Sequence, residues 1–174
     1  MFTRTGFLMA AMLVSQVAIA DIKVAQLHVE DAKLVGDARL KVMFWSVFDA
    51  RLYAEGGVFN QLEPFALSLS YLRKLEGEQI ISKTIEEMMD QKKFDKQELA
   101  DWSVQLSSII KDVNASTTIT GVRDERGYTL FYRNGKPAGT IENTRFTEGF
   151  FDIWLGENTS EPQLRRDLLS AGKS

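Results

Sequence analysis

The chain has 174 residues, and its 24 carboxylates slightly outnumber its 21 lysines and arginines, which gives a formal net charge of −3 at pH 7. This mildly acidic chain contains no basic block, which argues against nucleic acid as a partner, because phosphate binding needs clustered cations. The chain has no cysteine and a single histidine, His28, which excludes thiol catalysis, cysteine-ligated metals and histidine clusters. We therefore expect no metal and no cofactor, and we interpret His28 as a surface residue rather than a catalytic base.

The first 20 residues predict a secretory signal peptide. Arg4 supplies the positive start, an apolar run extends from Phe7 to Val17, and Ala18-Ile19-Ala20 precedes Asp21 as a cleavage motif. The run is shorter than the roughly 20 apolar residues that a membrane-spanning helix needs. We therefore expect cleavage after Ala20, a periplasmic or secreted protein with no membrane span after cleavage, and one domain over residues 21–174.

The first part of that domain predicts strands. Residues Asp21 to Val35 alternate loosely, which predicts one or two short edge strands. From Gly36 to Tyr53 one alternate set of side chains is almost entirely apolar, and the other set ends in Asp49, Arg51 and Tyr53. This pattern predicts one long strand between two layers, with a bend or bulge near Ser46, because few strands reach such a length.

A strand and a helical hairpin follow. Residues Phe65 to Leu72 alternate and predict a second strand. Apolar residues at helical spacing up to Met89 predict a helix that begins at Gly77. A second helix is predicted from Asp95, because Asp95 and Glu98 have the spacing of a capping box.

The last third of the chain predicts a meander followed by two helices. Three β-rich segments, residues 116–123, 128–132 and 137–141, predict strands, and Asn134-Gly135 is a strong hairpin signal between the last two. Helices are predicted from Thr144 to a stop at Gly156, and again after Ser160. The order of strands, helical hairpin, strands and helices indicates one α+β domain.

Three stretches together resemble the bacterial chalcone isomerase-like proteins. They are LKVMFWSVFDARLY from Leu40, PFALSLSYLRKLEGEQI from Pro64, and TRFTEGFFDIWLGENTSEPQLRRDLL from Thr144. The resemblance extends from about Leu34 to Leu169. It implies an open-faced sandwich, in which a large antiparallel sheet packs against a helical layer. In such proteins the cleft between the two layers takes flavonoid precursors in the plant enzymes and fatty acids in the non-catalytic members.

The resemblance also implies which residues would carry isomerase chemistry. The plant isomerases are similar in using an Arg from the sheet, and a Thr and a Tyr that organise a water. Their alignment with this sequence puts Phe48 near the Thr position and Ile80 near the Tyr position, with Arg39 the nearest candidate for the Arg. Since neither Phe48 nor Ile80 can hold a water or donate a proton, we assign no catalytic residues.

Arg51 is the residue around which a binding site is predicted. A guanidinium among aromatic residues suits a carboxylate or phenolate, because its planar fork binds both oxygens. One interpretation is structural: Asp49 or another internal carboxylate neutralises Arg51. The other is a ligand site in which Arg51 and Tyr71, with Tyr53 beside them, hold an acidic head group. The residues predicted to line the tail pocket are Trp45, Phe44, Met88 and Met89.

These observations favour an exported, non-catalytic binding protein for a small amphipathic acid such as a fatty acid. An isomerase with altered catalytic residues and a ligand-free scaffold are the two alternatives. A scaffold predicts a closed cleft between sheet and helices. The sequence leaves the oligomeric state open.

Overall fold

A computed structural model describes residues 13–170, with side chains from Ile19 onward, so residues 1–12 of the predicted leader lie outside the described residues. The elements in chain order are α1 Leu13–Gln26, β1 Ala32–Val42, β2 Trp45–Glu55, β3 Phe65–Tyr71, α2 Gly77–Asp90, α3 Lys96–Ile109, β4 Thr118–Arg123, β5 Thr129–Arg133, β6 Lys136–Ile141, α4 Thr144–Leu155 and α5 Pro162–Leu168.

The six strands form one antiparallel sheet in which each strand pairs with the next along the chain, in the order β1 to β6. Helices α2 to α5 cover one face, which we call the helical face. Their buried side chains and alternate residues of the strands share the main core. The α+β sandwich expected from the sequence is therefore the observed fold.

Aromatic rings fill much of the helical face. Phe131 of β5 contacts Phe146 and Phe150 of α4, with ring centroids 6.4 and 5.3 Å apart. Phe65 of β3 packs edge-on against Phe151 at 4.6 Å. Such edge-to-face pairs hold neighbouring rings at defined angles, so α4 is closely packed against β3 and β5 in this part of the interface.

The opposite face of the sheet carries α1. Val24 and Ala25 of α1, and Val29 just after it, are buried against strand residues of that face. The strand residues are Tyr53, Ala66, Val122 and Tyr132. The sandwich is thus covered on both faces over part of its area, and we call this second side the α1 face.

The prediction of edge strands over residues 21–35 is wrong for its first part. The chain there continues α1 to Gln26, and β1 begins only at Ala32. Asp21, Val24 and Ala25 are all buried, at the i, i+3, i+4 spacing of a helix. The loose alternation of apolar residues over 21–35 predicts strands, although the helical spacing is present in the same residues.

The single long strand predicted over residues 36–53 is a hairpin of β1 and β2. Val42 pairs with Trp45, so Met43 and Phe44 form a two-residue turn. Met43 takes the left-handed φ of 56° that such a turn needs. The predicted bulge is present beside Ser46, where a register shift leaves Val47 opposite no residue of β1.

The other predicted elements are confirmed to within about two residues. Asp95 caps α3 with both bonds of the capping box. Asn134 and Gly135 adopt φ values of 48° and 77° in the β5–β6 hairpin. Of the paired methionines, Met88 is fully buried and Met89 is 54% exposed, so only Met88 contributes to the core.

Candidate functional site

The helical face of β1–β3 is shallow next to the hairpin. Leu40, Phe48 and Tyr71 are cross-strand neighbours and form a row near the hairpin end of the sheet. The adjacent row places Ala38 beside Ala50. Because alanine side chains stop at Cβ, the sheet surface is lower at this second row than at its neighbours.

Two helices border this shallow area, which we call the β1–β2 cleft. On one side α5 lies directly on β1: a Cβ at Gly36 would be only 2.3 Å from the carbonyl oxygen of Leu168. On the other side α2 begins just after β3, and its Ile80 and Ile85 are half-buried against the main core. Leu40 and Ala38 at the sheet edge are also only half-buried, whereas Ala50 on the next strand is 0% exposed.

Tyr71 is the polar group of the cleft. Its side chain is 5% exposed and its ring packs edge-on against Phe48, with centroids 5.9 Å apart. Burial alone raises the pKa of Tyr71 far above its usual value. In the part of the chain that the structure describes, its hydroxyl makes no hydrogen bond, and it is not one of the fully enclosed polar atoms that lack a partner. A neutral phenol that keeps its proton is therefore available to donate to a bound acceptor.

Arg51 lies on the other face of the sheet, so the predicted partnership of Arg51 and Tyr71 is not formed. Along β2, Phe48, Ala50 and Leu52 face the main core, and Arg51 alternates with them toward α1. One nitrogen of Arg51 donates to an Asp21 carboxylate oxygen at 3.2 Å.

The partner of Arg51 is thus Asp21 rather than Asp49. Asp49 lies opposite Arg39 across the hairpin and accepts two hydrogen bonds from it, at 2.6 and 2.9 Å. The interpretation in which an internal carboxylate neutralises Arg51 agrees with this geometry. Burial raises the pKa of Asp21, and the nearby Arg51 charge opposes that rise.

Tyr53 shares the α1 face with Arg51. It is 3% exposed, and burial, reinforced by the negative charge of Asp21, raises the pKa of Tyr53 to about 12. Farther along the same face, Ser68 and Thr120 hydroxyls bond each other at 2.8 Å. These residues form a buried polar layer under α1.

His28 belongs to the same side of the molecule. Its Nε2 is 2.6 Å from the hydroxyl of Tyr132, and the imidazole is half-buried rather than freely exposed. This bond ties the segment after α1 to β5.

Trp45 and Phe44 are separate from both groups. Phe44 is 95% exposed at the hairpin turn and Trp45 is 65% exposed beside it. The guanidinium of Arg73 lies over the Trp45 ring, 5.3 Å from its centroid. The four residues predicted as one ligand site therefore occupy three places: Arg51 and Tyr53 under α1, Tyr71 in the cleft, and Trp45 at the hairpin tip.

Some features of the cleft were missed in the sequence. In the sequence, Ala38 and Ala50 are two small residues of one predicted strand, and their pairing follows only from the β1–β2 hairpin. Asp21 follows the predicted cleavage motif, and its contact with Arg51 depends on α1 packing on the sheet.

A surface groove of about 760 Å³ lies between α2 and α3. Serine and charged side chains provide much of its lining, namely Glu78, Ser82, Ser103, Ser107, Lys111 and Asp112. This polar lining is a poor match for an alkyl chain. Among residues 13–170, no three His, Asp or Glu side chains come together as a metal site, and no helix is long and apolar enough to cross a bilayer.

Comparison with known proteins gives a relative from a bacterium and a related structure from a plant. An uncharacterized protein of Haemophilus influenzae is 24% identical over 142 residues, which are 80% of this chain and 69% of that protein. The crystal structure of a fatty-acid binding protein of Arabidopsis thaliana superposes with a TM-score of 0.63 at 17% identity, covering 80% of this chain and 87% of that one. That likeness shows the shared fold.

The family assignment comes from the sequence model of chalcone isomerase-like proteins. It matches residues 13–170, from the first residue of α1 to two residues past the end of α5. The chain therefore belongs to the chalcone isomerase-like family.

Proposed function

We propose that this protein binds a small amphipathic acid, such as a fatty acid, in the β1–β2 cleft between α2 and α5. The observation that carries the proposal is Tyr71, a 5% exposed phenol whose hydroxyl makes no hydrogen bond among the described residues and whose neighbours are apolar. A hydroxyl that no protein group engages can donate to an acceptor on a ligand. A ligand carboxyl oxygen supplies that acceptor.

The remaining contacts are suited to the alkyl part of the ligand. Ala38 and Ala50 provide the low floor, and Leu40 and Phe48 border it. Ile80 and Ile85 of α2, half-buried against the same core, add further apolar surface. The Arabidopsis thaliana protein that shares this fold is a fatty-acid binding protein, which supports the choice of ligand class.

Binding is favoured over ring-closing catalysis because the side chain next to Tyr71 is apolar. The neighbouring side chain is Phe48, which the resemblance to the isomerases puts near the position of their threonine. A phenyl ring can neither orient a water nor move a proton. We expect a chalcone incubated with the protein to lose its visible absorbance no faster than in buffer.

The test of the site is the substitution Tyr71→Phe, which removes the hydroxyl and keeps the ring. Loss of one hydrogen bond to a charged group corresponds to about 1.5–3 kcal/mol, so fatty-acid affinity should fall about tenfold or more. Displacement of a fluorescent fatty acid measures the affinity. Native mass spectrometry of the purified protein should in addition detect a co-purifying acid.

A second variant tests the floor, and a third serves as the control. Ala38→Leu adds three carbons above the shallow row and should reject the longest chains while still accepting short ones. Tyr128→Phe removes a phenol that lies in contact with Arg126, away from the cleft, and should change nothing. Unchanged affinity in both cleft variants, or no binding of any fatty acid by the native protein, would reject the proposal in favour of a ligand-free scaffold.

We also propose that the protein is exported and cleaved after Ala20. Support comes from the three parts of the leader and its Ala-Ile-Ala motif. Expression of the full chain in a bacterium, followed by fractionation and intact mass measurement, should give a periplasmic or secreted species that begins at Asp21. An uncleaved species that remains in the cytoplasm contradicts this proposal without affecting the cleft.

A further inference from the structure

The turn between β1 and β2 exposes four consecutive apolar side chains. Val42, Met43, Phe44 and Trp45 are 52, 84, 95 and 65% exposed. They occupy the end of a projecting hairpin, and Phe44 has almost no contact with the rest of the protein. Consecutive exposed apolar residues of this size are costly in water and mark a surface that something else covers.

Cations surround this apolar tip. Lys41 precedes it, and Arg73 and Lys74 follow β3 at the same end of the sheet, with Arg73 stacked on Trp45. All three are exposed, and within residues 13–170 none of them takes part in an ion pair. The nearby carboxylate of Asp49 is already bound by Arg39, so it does not pair with these three cations, and Glu76 is the acidic residue that follows them in the chain.

The other end of the sheet has the opposite character. The segments that connect the strands there are rich in carboxylates, although Lys33, Arg123 and Arg126 are also present. The carboxylates are Glu30, Asp31, Glu55, Glu63, Asp124, Glu125 and Glu142. A chain of net charge −3 thus places three of its 21 lysines and arginines at the end of the sheet that carries the exposed apolar tip.

We propose that the tip of the β1–β2 hairpin, Val42–Trp45, docks onto a bilayer that contains anionic phospholipids. The apolar side chains enter the interface, Trp45 takes the headgroup level that tryptophan prefers, and the surrounding cations meet lipid phosphates. Lys41 and Arg73 can extend their charged ends to the headgroups while their stems stay apolar.

The charge and the shape of the tip favour a bilayer over a second copy of the chain. Two identical tips brought together would oppose like charges. A two-residue turn is also too small to provide the roughly 800 Å² per partner that a stable protein interface buries. The proposal uses residues outside the β1–β2 cleft and does not depend on fatty-acid binding.

The test is binding to vesicles of phosphatidylcholine alone and of phosphatidylcholine mixed with phosphatidylglycerol. We expect co-sedimentation with the mixed vesicles and a blue shift of tryptophan emission. The shift reports Trp45, because the other two tryptophans, Trp102 and Trp154, are only 2% and 9% exposed. Added salt should weaken the binding, since it screens the contacts with phosphate.

Two tip variants separate the apolar and the charged contributions. Met43→Ser with Phe44→Ser should lower the partition coefficient more than tenfold, because the buried apolar area is lost. Lys41→Gln with Lys74→Gln should lower it by about fivefold per charge on mixed vesicles only. Both pairs are exposed, so unchanged circular dichroism and unfolding midpoint are expected.

The matched control is Leu62→Ser, which removes an equally apolar side chain that is 70% exposed at the other end of the sheet. It should bind vesicles like the native protein. The proposal is overturned if the native protein does not bind mixed vesicles, or if Leu62→Ser weakens binding as much as the tip variant does. A concentration-dependent dimer that the tip variant abolishes, without any vesicle binding, would overturn it as well.

Discussion

At the residue scale, the pair of Arg51 and Asp21 joins the first helix to the sheet. The Asp21 side chain is 3% exposed and that of Arg51 is 22% exposed, so the two partners are buried to different degrees. Breaking such a pair leaves a charge with no counterion in a poorly solvated place. The free-energy cost should be larger when the more deeply buried partner, Asp21, is the one that keeps an unpaired charge.

We therefore expect Arg51→Met to destabilise the protein more than Asp21→Asn does. Arg51→Met leaves the Asp21 carboxylate without its cation and should cost about 3 kcal/mol at neutral pH, as found for broken buried pairs. Asp21→Asn leaves Arg51 with partial access to water and should cost about 1–2 kcal/mol. Urea unfolding midpoints measure both, and Arg39→Met, at an exposed pair, is the control with a smaller change.

The cost of Arg51→Met should also depend on pH. Burial already raises the pKa of Asp21 in the fold, and removal of the cation raises it further. A carboxyl whose folded pKa exceeds its unfolded value binds protons more tightly in the fold, so its contribution to stability decreases as pH rises between the two values. The deficit of the variant should therefore shrink in acid; a deficit that grows in acid would contradict the pairing.

The need of Arg51 for a partner could be predicted from the sequence, but the identity of that partner could not. Asp49 is two residues away on the same strand face and is the obvious local candidate. The actual partner of Asp49 is Arg39, which the hairpin register places opposite it. Tyr71 is a site residue predicted from the sequence, but whether it shares a face with Arg51 depends on the register between β2 and β3.

At the element scale, α5 is held against the first strand by the absence of a side chain at Gly36. A Cβ at this position would lie 2.3 Å from a backbone oxygen of α5, and backbone cannot move aside as a side chain can. Such overpacking forces the helix away from the sheet. Because α5 also borders the β1–β2 cleft, this contact sets the width of the cleft.

Gly36→Ala should therefore lower the free energy of unfolding by about 1–3 kcal/mol, the usual cost of forced overpacking. Chemical denaturation followed by circular dichroism measures it. Gly121→Ala, in the same cross-strand row, is the matched control, because its Cβ would meet side chains rather than backbone, namely the rings of Phe150 at 3.2 Å and Phe151 at 3.4 Å. The control should cost less, and an equal cost would show that α5 shifts freely.

The hairpin turn is the element that the sequence concealed most completely. Tight turns are usually recognised from Gly, Asn or Asp, as Asn134-Gly135 was. Met43 instead adopts a left-handed conformation without any of these residues. An uninterrupted apolar run through a turn reads as a continuous strand, and the exposure of its middle is a consequence of tertiary structure.

At the scale of the whole molecule, the sheet has two cores, one on each face. The main core was predictable from the helical stripes of α2 to α4 and the alternating strands. The smaller core under α1 was not, because residues 21–30 fall between a predicted leader and a predicted strand. Val24 and Val29 are each 3% exposed there, so this segment belongs to the folded domain.

A chain that begins at Asp31 should accordingly be less stable than one that begins at Asp21. Loss of two buried valines, and exposure of the aromatic and apolar residues beneath them, should cost about 4 kcal/mol on the usual scale of burial. Urea unfolding of the two truncated chains measures the difference. Equal midpoints would mean that the segment does not contribute to stability, and Asp21→Asn in the longer chain separates its ion pair from its packing.

Within residues 13–170 the sheet has two edges without a neighbouring strand, β1 and β6, and each edge is poorly suited to accept another strand. In β6, Pro137 lacks a backbone N–H, and a register shift lies opposite it. In β1, Lys33, Asp37, Arg39 and Lys41 place charges along the outer strand, which two register shifts also distort. Unpaired edges normally invite aggregation, and these devices discourage it. Where the exposed hairpin tips bring several molecules close together, these edges disfavour the strand addition that starts a fibril.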